Sequence, residues 1–202
     1  MRPSYRYVGP TKIAERAPLA PAGVRVESPA DVRHWIRRTG QELNAAGSVI
    51  ATFVIDESGW LRIADRRSEH VACAGGTPVR SAGEMTFTVR PSGVSVTWVS
   101  NQSTGYCPEP SSWPAVHAAL AQAGIAAPEG FSQEFEFRRC PRCGSINIIK
   151  EKVFECGVCA TPLPAEWNLD FETAAEQGAV SDRGCPSGLA RHERAGGGDP
   201  GG

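Results

Sequence analysis

An α+β fold built on an antiparallel sheet is predicted by three features of this 202-residue sequence. Strand-length runs of alternating apolar and polar residues cluster between Val49 and Ser100. Stretches of helical periodicity flank that block, one on each side. Four cysteines follow as two C-x-x-C pairs, Cys140/Cys143 and Cys156/Cys159, with twelve residues between the pairs. Each pair lets a tight turn present two thiolates to one ion, and two such turns complete a tetrahedron. The expected architecture is therefore an antiparallel sheet with two helices, closed by a C-terminal zinc ribbon. Its expected divisions are an extended N-terminal arm over 1–26, an α+β core over 27–130, the ribbon over 131–170 and a disordered tail over 171–202.

Residues 1–26 mix Pro, Arg and Ala without periodicity, with Tyr5, Tyr7 and Val8 available to pin the arm to the core. Ser28, Pro29 and Asp31 form a helix start, with a capping serine, a proline in the first turn and the acid of a capping box. Val32, Trp35, Ile36 and Leu43 then share one stripe, predicting a helix from about 29 to 45. Strands are expected at Val49–Ile55 and Trp60–Ala64, joined through Asp56-Glu57-Ser58-Gly59. A further pair, His70–Ala74 and Val79–Ala82, flanks a turn at Gly75-Gly76-Thr77-Pro78. Glu84–Arg90 and Val94–Ser100 flank Pro91-Ser92-Gly93, a hairpin signal. Met85, Phe87 and Val89 alternate in the first of these, and Val94, Val96 and Trp98 in the second, as a half-buried antiparallel sheet requires. A second helix is expected over about Ser112–Ala123, with Trp113, Val116 and Leu120 inward and Gly124-Ile125 as its cap. Phe135 and Phe137 alternate on a strand that enters the first knuckle, and Ile146–Ile149 with Lys152–Glu155 make the hairpin between knuckles.

The cysteines choose between metal and disulfides. Met1 to Lys12 holds no apolar run of signal-peptide type, and no apolar stretch is long enough to span a bilayer. A cytoplasmic location is expected, and reduced paired C-x-x-C motifs there favour metal. Four thiolates without histidine leave no open coordination position, so the ion is read as structural. A rubredoxin-like iron site shares the pattern; Zn2+ is the preferred ion. Gly144 suits the first knuckle, because positive φ there frees a backbone N–H toward sulfur. Cys73, Cys107 and Cys185 are too scattered to form a second cluster by spacing. From about Thr173 onward, with Cys185 inside it, large apolar residues become sparse and the chain reads as a tail.

A formal charge of −1 excludes a global attraction to nucleic acid or anionic membrane. The ribbon itself holds five Lys/Arg against six Asp/Glu, before the negative charge of a metal tetrathiolate is added. Arg138, Arg139 and Arg142 are the compact basic group, with Glu134 and Glu136 beside them to neutralise it. Nucleic acid is therefore the weakest of the partners considered. Motifs for phosphate cradles, nucleophile elbows and zinc proteases are missing.

Two polar stretches, Arg66–Gly76 and Ser100–Glu109, exceed what a plain sheet needs. On a strand, His70 and Cys73 point to opposite faces, so a dyad would need His70 to meet Cys107 through the fold. The plainer reading makes Cys73 a core residue and His70 a partner for a buried polar group.

His70-x-x-x-Ala74-Gly75-Gly76-x-Pro78-Val79-x-x-Ala82-Gly83-Glu84, followed by Asn101-x-Ser103-x-Gly105-Tyr106-x-Pro108, resembles a segment of plant IQ-motif calmodulin-binding proteins and of assorted bacterial proteins. In those the loop reads N-x-S-G-H-Y-x-P. The stretch from Ser28 to Asn168 also resembles uncharacterised bacterial zinc-ribbon proteins. Thr104-Gly105-Tyr106 stands here where Gly-His-Tyr is expected, so that histidine's role does not transfer. There is no IQ motif, and calmodulin binding is not implied. The resemblance implies one surface made by His70, Gly75, Gly76, Glu84, Asn101, Ser103, Tyr106 and Cys107. The leading expectation is a non-catalytic binding or adaptor protein with a protein partner. The alternative is an enzyme whose pocket lies between the His70 segment and the Asn101–Pro108 loop, using His70, Glu84, Tyr106 or Cys107. A nucleic-acid-contacting ribbon is the third.

Overall fold

The computed structural model describes residues 4–169. The expected tail, with Cys185, lies outside the described residues. The chain is α+β, with a five-stranded, wholly antiparallel sheet. Its strands are β1 (Val24–Val26), β2 (Ser48–Asp56), β3 (Leu61–Asp65), β4 (Val79–Arg90) and β5 (Gly93–Val99), in the order β1-β3-β2-β4-β5. Helices α1 (Thr11–Ala14), α2 (Pro29–Thr39), α3 (His70–Cys73) and α4 (Trp113–Gln122) surround it. A separate hairpin, β6 (Glu136–Arg139) and β7 (Ile146–Ile149), carries the first cysteine pair.

The main core lies on one sheet face. Phe53, Ile55, Leu61, Ile63, Met85 and Phe87 meet Val32 and Trp35 of α2 and Val116 and Leu120 of α4 there. The opposite face is covered at one end only, where Val54 and Ala82 pack under α3, the N-terminal segment and Tyr106. The open edge of β5 is satisfied by the chain after α4. Val96 N–H donates to Ala126 and Ser132 N–H to Val99, so the edge offers little to a foreign strand.

The start of α2 follows the capping box: Asp31 Oδ2 accepts from Ser28 N–H at 2.8 Å and from the Ser28 hydroxyl at 2.9 Å. Its end does not reach 45. Gly40 takes a left-handed φ of 64° and Gln41 N–H turns back to Ile36, a helix stop that the apolar stripe runs past. Leu43 is consequently exposed.

Three further expectations are corrected. His70–Ala74 is not a strand but the single helical turn of α3. Cys73 N–H reaches Glu69 and Ala74 N–H reaches His70, while Gly75 and Gly76, at φ 66° and 81°, end the turn. A helix stop and a hairpin turn use the same glycines, and five residues are too few for periodicity to choose between them. The expected strands 79–82 and 84–90 are one continuous strand, β4, with Gly83 in its interior. A Cβ on Gly83 would lie 2.0 Å from the Ser100 carbonyl oxygen, so glycine here marks a close backbone approach rather than a break. The N-terminal segment is not simply extended. It contains α1, a 3-10 turn at Ala17–Leu19 and the edge strand β1, and Tyr5 exchanges backbone hydrogen bonds with Val79 at 2.7 and 3.0 Å.

Candidate metal centre and the polar module

The two cysteine turns are built alike. Cys140 N–H donates to Ser145 and Gly144 N–H to Cys140; in the second turn Cys156 N–H donates to Thr161 and Ala160 N–H to Cys156. Gly144 and Ala160 close the turns with φ of 74° and 54°. Gly144 thus takes the expected conformation, yet its N–H goes to a carbonyl. The amides that face sulfur are Cys143 N–H to Cys140 Sγ and Val158 N–H to Cys156 Sγ, both at 3.5 Å. Each turn also places a hydroxyl beside its second thiol, Ser145 at 3.4 Å from Cys143 and Thr161 at 3.3 Å from Cys159.

The four sulfurs lie within 4.8 Å of one another. Cys140–Cys159 and Cys143–Cys156 are each 3.6 Å apart, and all four cysteines are free. A zinc tetrathiolate with Zn–S of about 2.3 Å has tetrahedral edges of about 3.8 Å. The sulfurs are therefore close enough to hold one metal ion without rearrangement. Cys140 and Cys156 are buried, Cys159 is half-buried and Cys143 is exposed. The Ser145 hydroxyl and backbone hold the Cys143 thiol down to about 6, and the Val158 N–H lowers Cys156. Burial pushes Cys140 up to about 11.

Asn147, which no spacing rule singled out, ties the two turns together. Its side chain donates to Ser145 O and to Cys156 Sγ at 3.7 Å, and accepts from Gly157 N–H. The expected hairpin between the knuckles is reduced to one antiparallel bridge, Lys150 with Val153, while β7 itself pairs with β6. Glu151 and Lys152, at φ 52° and 59°, turn the chain as a two-residue loop with both central residues left-handed.

The arginine group is broken up by the fold. Arg138 is buried, donates twice to Ala165 O and once to Phe137 O, and lies 3.6 Å from Glu136. Arg139 donates to Gly144 O and is flanked by Asn168, which bonds both its N–H and its carbonyl.

Of the eight residues read as one binding surface, Asn101, Ser103, Tyr106 and Cys107 are buried, His70 and Glu84 are half-buried and Gly75 and Gly76 are exposed. Tyr106 is buried and its hydroxyl donates to Thr77 O at 2.7 Å, which places the Asn101–Pro108 loop beside the Gly75-Gly76 turn. Asn101 is buried and makes three bonds to backbone, donating to Pro108 O and Phe135 O and accepting from Phe135 N–H. Ser103 is buried and accepts from Tyr106 N–H at 3.3 Å. Cys107, buried at φ 48°, directs its thiol to Thr104 O, and burial pushes that thiol up to about 12. Asn101, Ser103, Tyr106 and Cys107 are therefore interior residues that hold the loop, not a surface a partner can touch. Gly105 is needed for a reason unrelated to ligands, since a Cβ there would meet the Tyr7 ring at 2.5 Å.

His70 is half-buried and its Nε2–H donates to Gly83 O at 3.0 Å. No hydrogen bond joins it to Cys107, and Cys73 is a core thiol pushed up to about 12 by burial. Glu84 pairs with Arg66 at 3.6 Å. Burial holds the His70 imidazole down to about 4, against an ordinary 6.5, while the Gly83 carbonyl works in the raising direction. The unfolded chain thus binds more protons than the folded one between those values. This contribution to stability is complete above about 6.5 and is lost as pH falls toward about 4, a slope worth on the order of 1–3 kcal/mol in all. Denaturant midpoints measured across that range should fall more steeply for the native chain than for His70→Gln; parallel slopes would refute the assignment.

A cavity of about 620 Å³ opens on the other side of α3, between the N-terminal segment, α2 and β3. Sequence patterning does not reveal it, because its lining comes from segments far apart in the chain and includes short side chains such as Ala17, Ala22, Ala64 and Ala72. Among the described residues no helix is long and apolar enough to cross a membrane. Searches against protein-family models, curated proteins and solved structures find no match to this chain.

Proposed function

We propose that the chain is a zinc-stabilised binding or adaptor protein without catalysis, its C-terminal hairpin closed by one ion on Cys140, Cys143, Cys156 and Cys159. The approach of the four sulfurs to within 4.8 Å carries this reading. An all-thiolate shell is a closed one: the ion would fix the two turns and leave no position for water or substrate. The side chains that an enzyme reading would recruit are otherwise engaged: Tyr106 and Cys107 are buried and bond to backbone, His70 donates to Gly83 O and Glu84 pairs with Arg66. Burial of Arg138 takes a central charge out of the nucleic-acid reading. For contact with a protein partner the cysteine hairpin offers Val153 and Val158, which are 60% and 72% exposed. The likeness to bacterial zinc-ribbon proteins, and a cytoplasmic setting with reduced thiols, belong to the same proposal.

Elemental analysis of freshly purified, reduced protein should give one zinc per chain; metal-free protein with a fully folded hairpin would sink the reading. Copurification from the native host, with Val153→Asp/Val158→Asp as the comparison, tests the adaptor half. A partner retained equally by both chains would argue against that surface.

A further inference from the structure

We propose that Cys143 is a peroxide-reactive thiolate and Cys156 its resolving partner, so that oxidation joins the two cysteine turns by a disulfide and releases the ion. The inference rests on the zinc reading above and concerns the sulfurs rather than the metal. A closed four-cysteine shell offers a reagent no vacant position on the ion, yet every sulfur in it is a thiolate, the form in which cysteine attacks. Chemistry at such a site falls to whichever sulfur solvent can reach.

The fold makes that choice. Cys140 and Cys156 are 1% and 2% exposed, Cys159 is half-buried, and Cys143 alone of the four is exposed. Cys73 and Cys107 are core thiols, so among the described residues peroxide in solution meets Cys143 first. Cys156 Sγ, from the other turn, lies 3.6 Å from Cys143 Sγ. Its burial does not hinder attack on a neighbour already in contact. An accessible thiolate beside a second one that can resolve it is the arrangement of a redox-sensitive pair. The reaction is a two-electron oxidation. The Cys143 thiolate attacks one peroxide oxygen, the O–O bond breaks and hydroxide leaves, giving a sulfenic acid. The Cys156 thiolate then attacks that sulfur; the S–S bond forms, the S–O bond breaks and a second hydroxide departs. Two protons from solvent convert the hydroxides to water. With half its ligands spent the site no longer holds the ion, and the hairpin loses the folding energy that the ion supplies.

For the test, zinc is first counted on the reduced full chain carrying Cys185→Ser, which removes the cysteine outside the described residues. Hydrogen peroxide is then titrated in beside a chromogenic zinc chelator, and peptides are mapped by mass spectrometry with and without dimedone, which traps sulfenic acids. One zinc should be released per peroxide consumed, the first disulfide should be Cys143–Cys156, and dimedone should mark Cys143. Cys143→His keeps a three-cysteine, one-histidine shell that zinc accepts, and its release should be about tenfold or more slower, because imidazole is no thiolate. The dimedone readout on the parent chain does not depend on that variant folding. A chain without zinc would defeat the metal reading and this inference with it. Retention of zinc under peroxide, dimedone on another of the four cysteines, a first disulfide within one turn, or equal release from Cys143→His would each overturn the inference and leave the metal reading standing.

Discussion

Replacing Cys143 by serine is expected to unfold residues 138–165 while the five-stranded sheet stays intact. Structural zinc sites in small modules are worth on the order of 10 kcal/mol, and around the two cysteine turns little apolar surface is buried. The buried cluster there contains Cys140, Cys156 and Leu163. By contrast the sheet buries two helices' worth of apolar surface on its main face. Amide hydrogen exchange should therefore show fast exchange through both cysteine turns and native protection in β2, β4 and β5. Equal protection of the hairpin in native and variant chains would mean that Asn147 and the turn hydrogen bonds suffice without an ion.

Asn101→Ala is expected to be the most damaging change among the polar side chains of the Asn101–Pro108 loop. It leaves the buried Pro108 carbonyl and the half-buried Phe135 carbonyl and N–H without this partner at once. Each such group costs about 1–3 kcal/mol, so a loss of about 3 kcal/mol or more is expected in denaturant titration. Asn101→Asp separates hydrogen bonding from shape. It can still accept from Phe135 N–H, but it sets a buried carboxylate against two carbonyl oxygens, so it should be at least as destabilising as alanine. A loss below about 1 kcal/mol in both variants would show that the loop is held by packing instead.

The same asparagine explains what was legible in the sequence and what was not. The helix start at Ser28, the alternation in β4 and β5 and the paired C-x-x-C turns are local patterns, and each predicts its own geometry. The role of Asn101 depends on Phe135, far along the chain, and that of Gly83 on the Ser100 carbonyl. Nothing near either residue encodes those meetings. His70–Ala74 failed for a different reason: a run that short fits a strand or a helical turn equally well, and the contact of His70 with Gly83 decides it only in the folded chain. The His70–Glu84 and Asn101–Pro108 segments lie together, joined by the Tyr106 hydroxyl on Thr77 O. A polar loop of this kind serves either a surface or its own backbone, and here Asn101 and Ser103 serve backbone groups in the interior. The cavity was invisible because its lining comes from segments far apart in the chain.

The most direct test of the metal assignment is X-ray absorption at the zinc edge on the purified, reduced protein. The account predicts a single shell of four sulfurs at about 2.3 Å and no lighter scatterer. A nitrogen or oxygen ligand at about 2.0 Å would contradict the closed four-cysteine site and reopen a coordination position for chemistry.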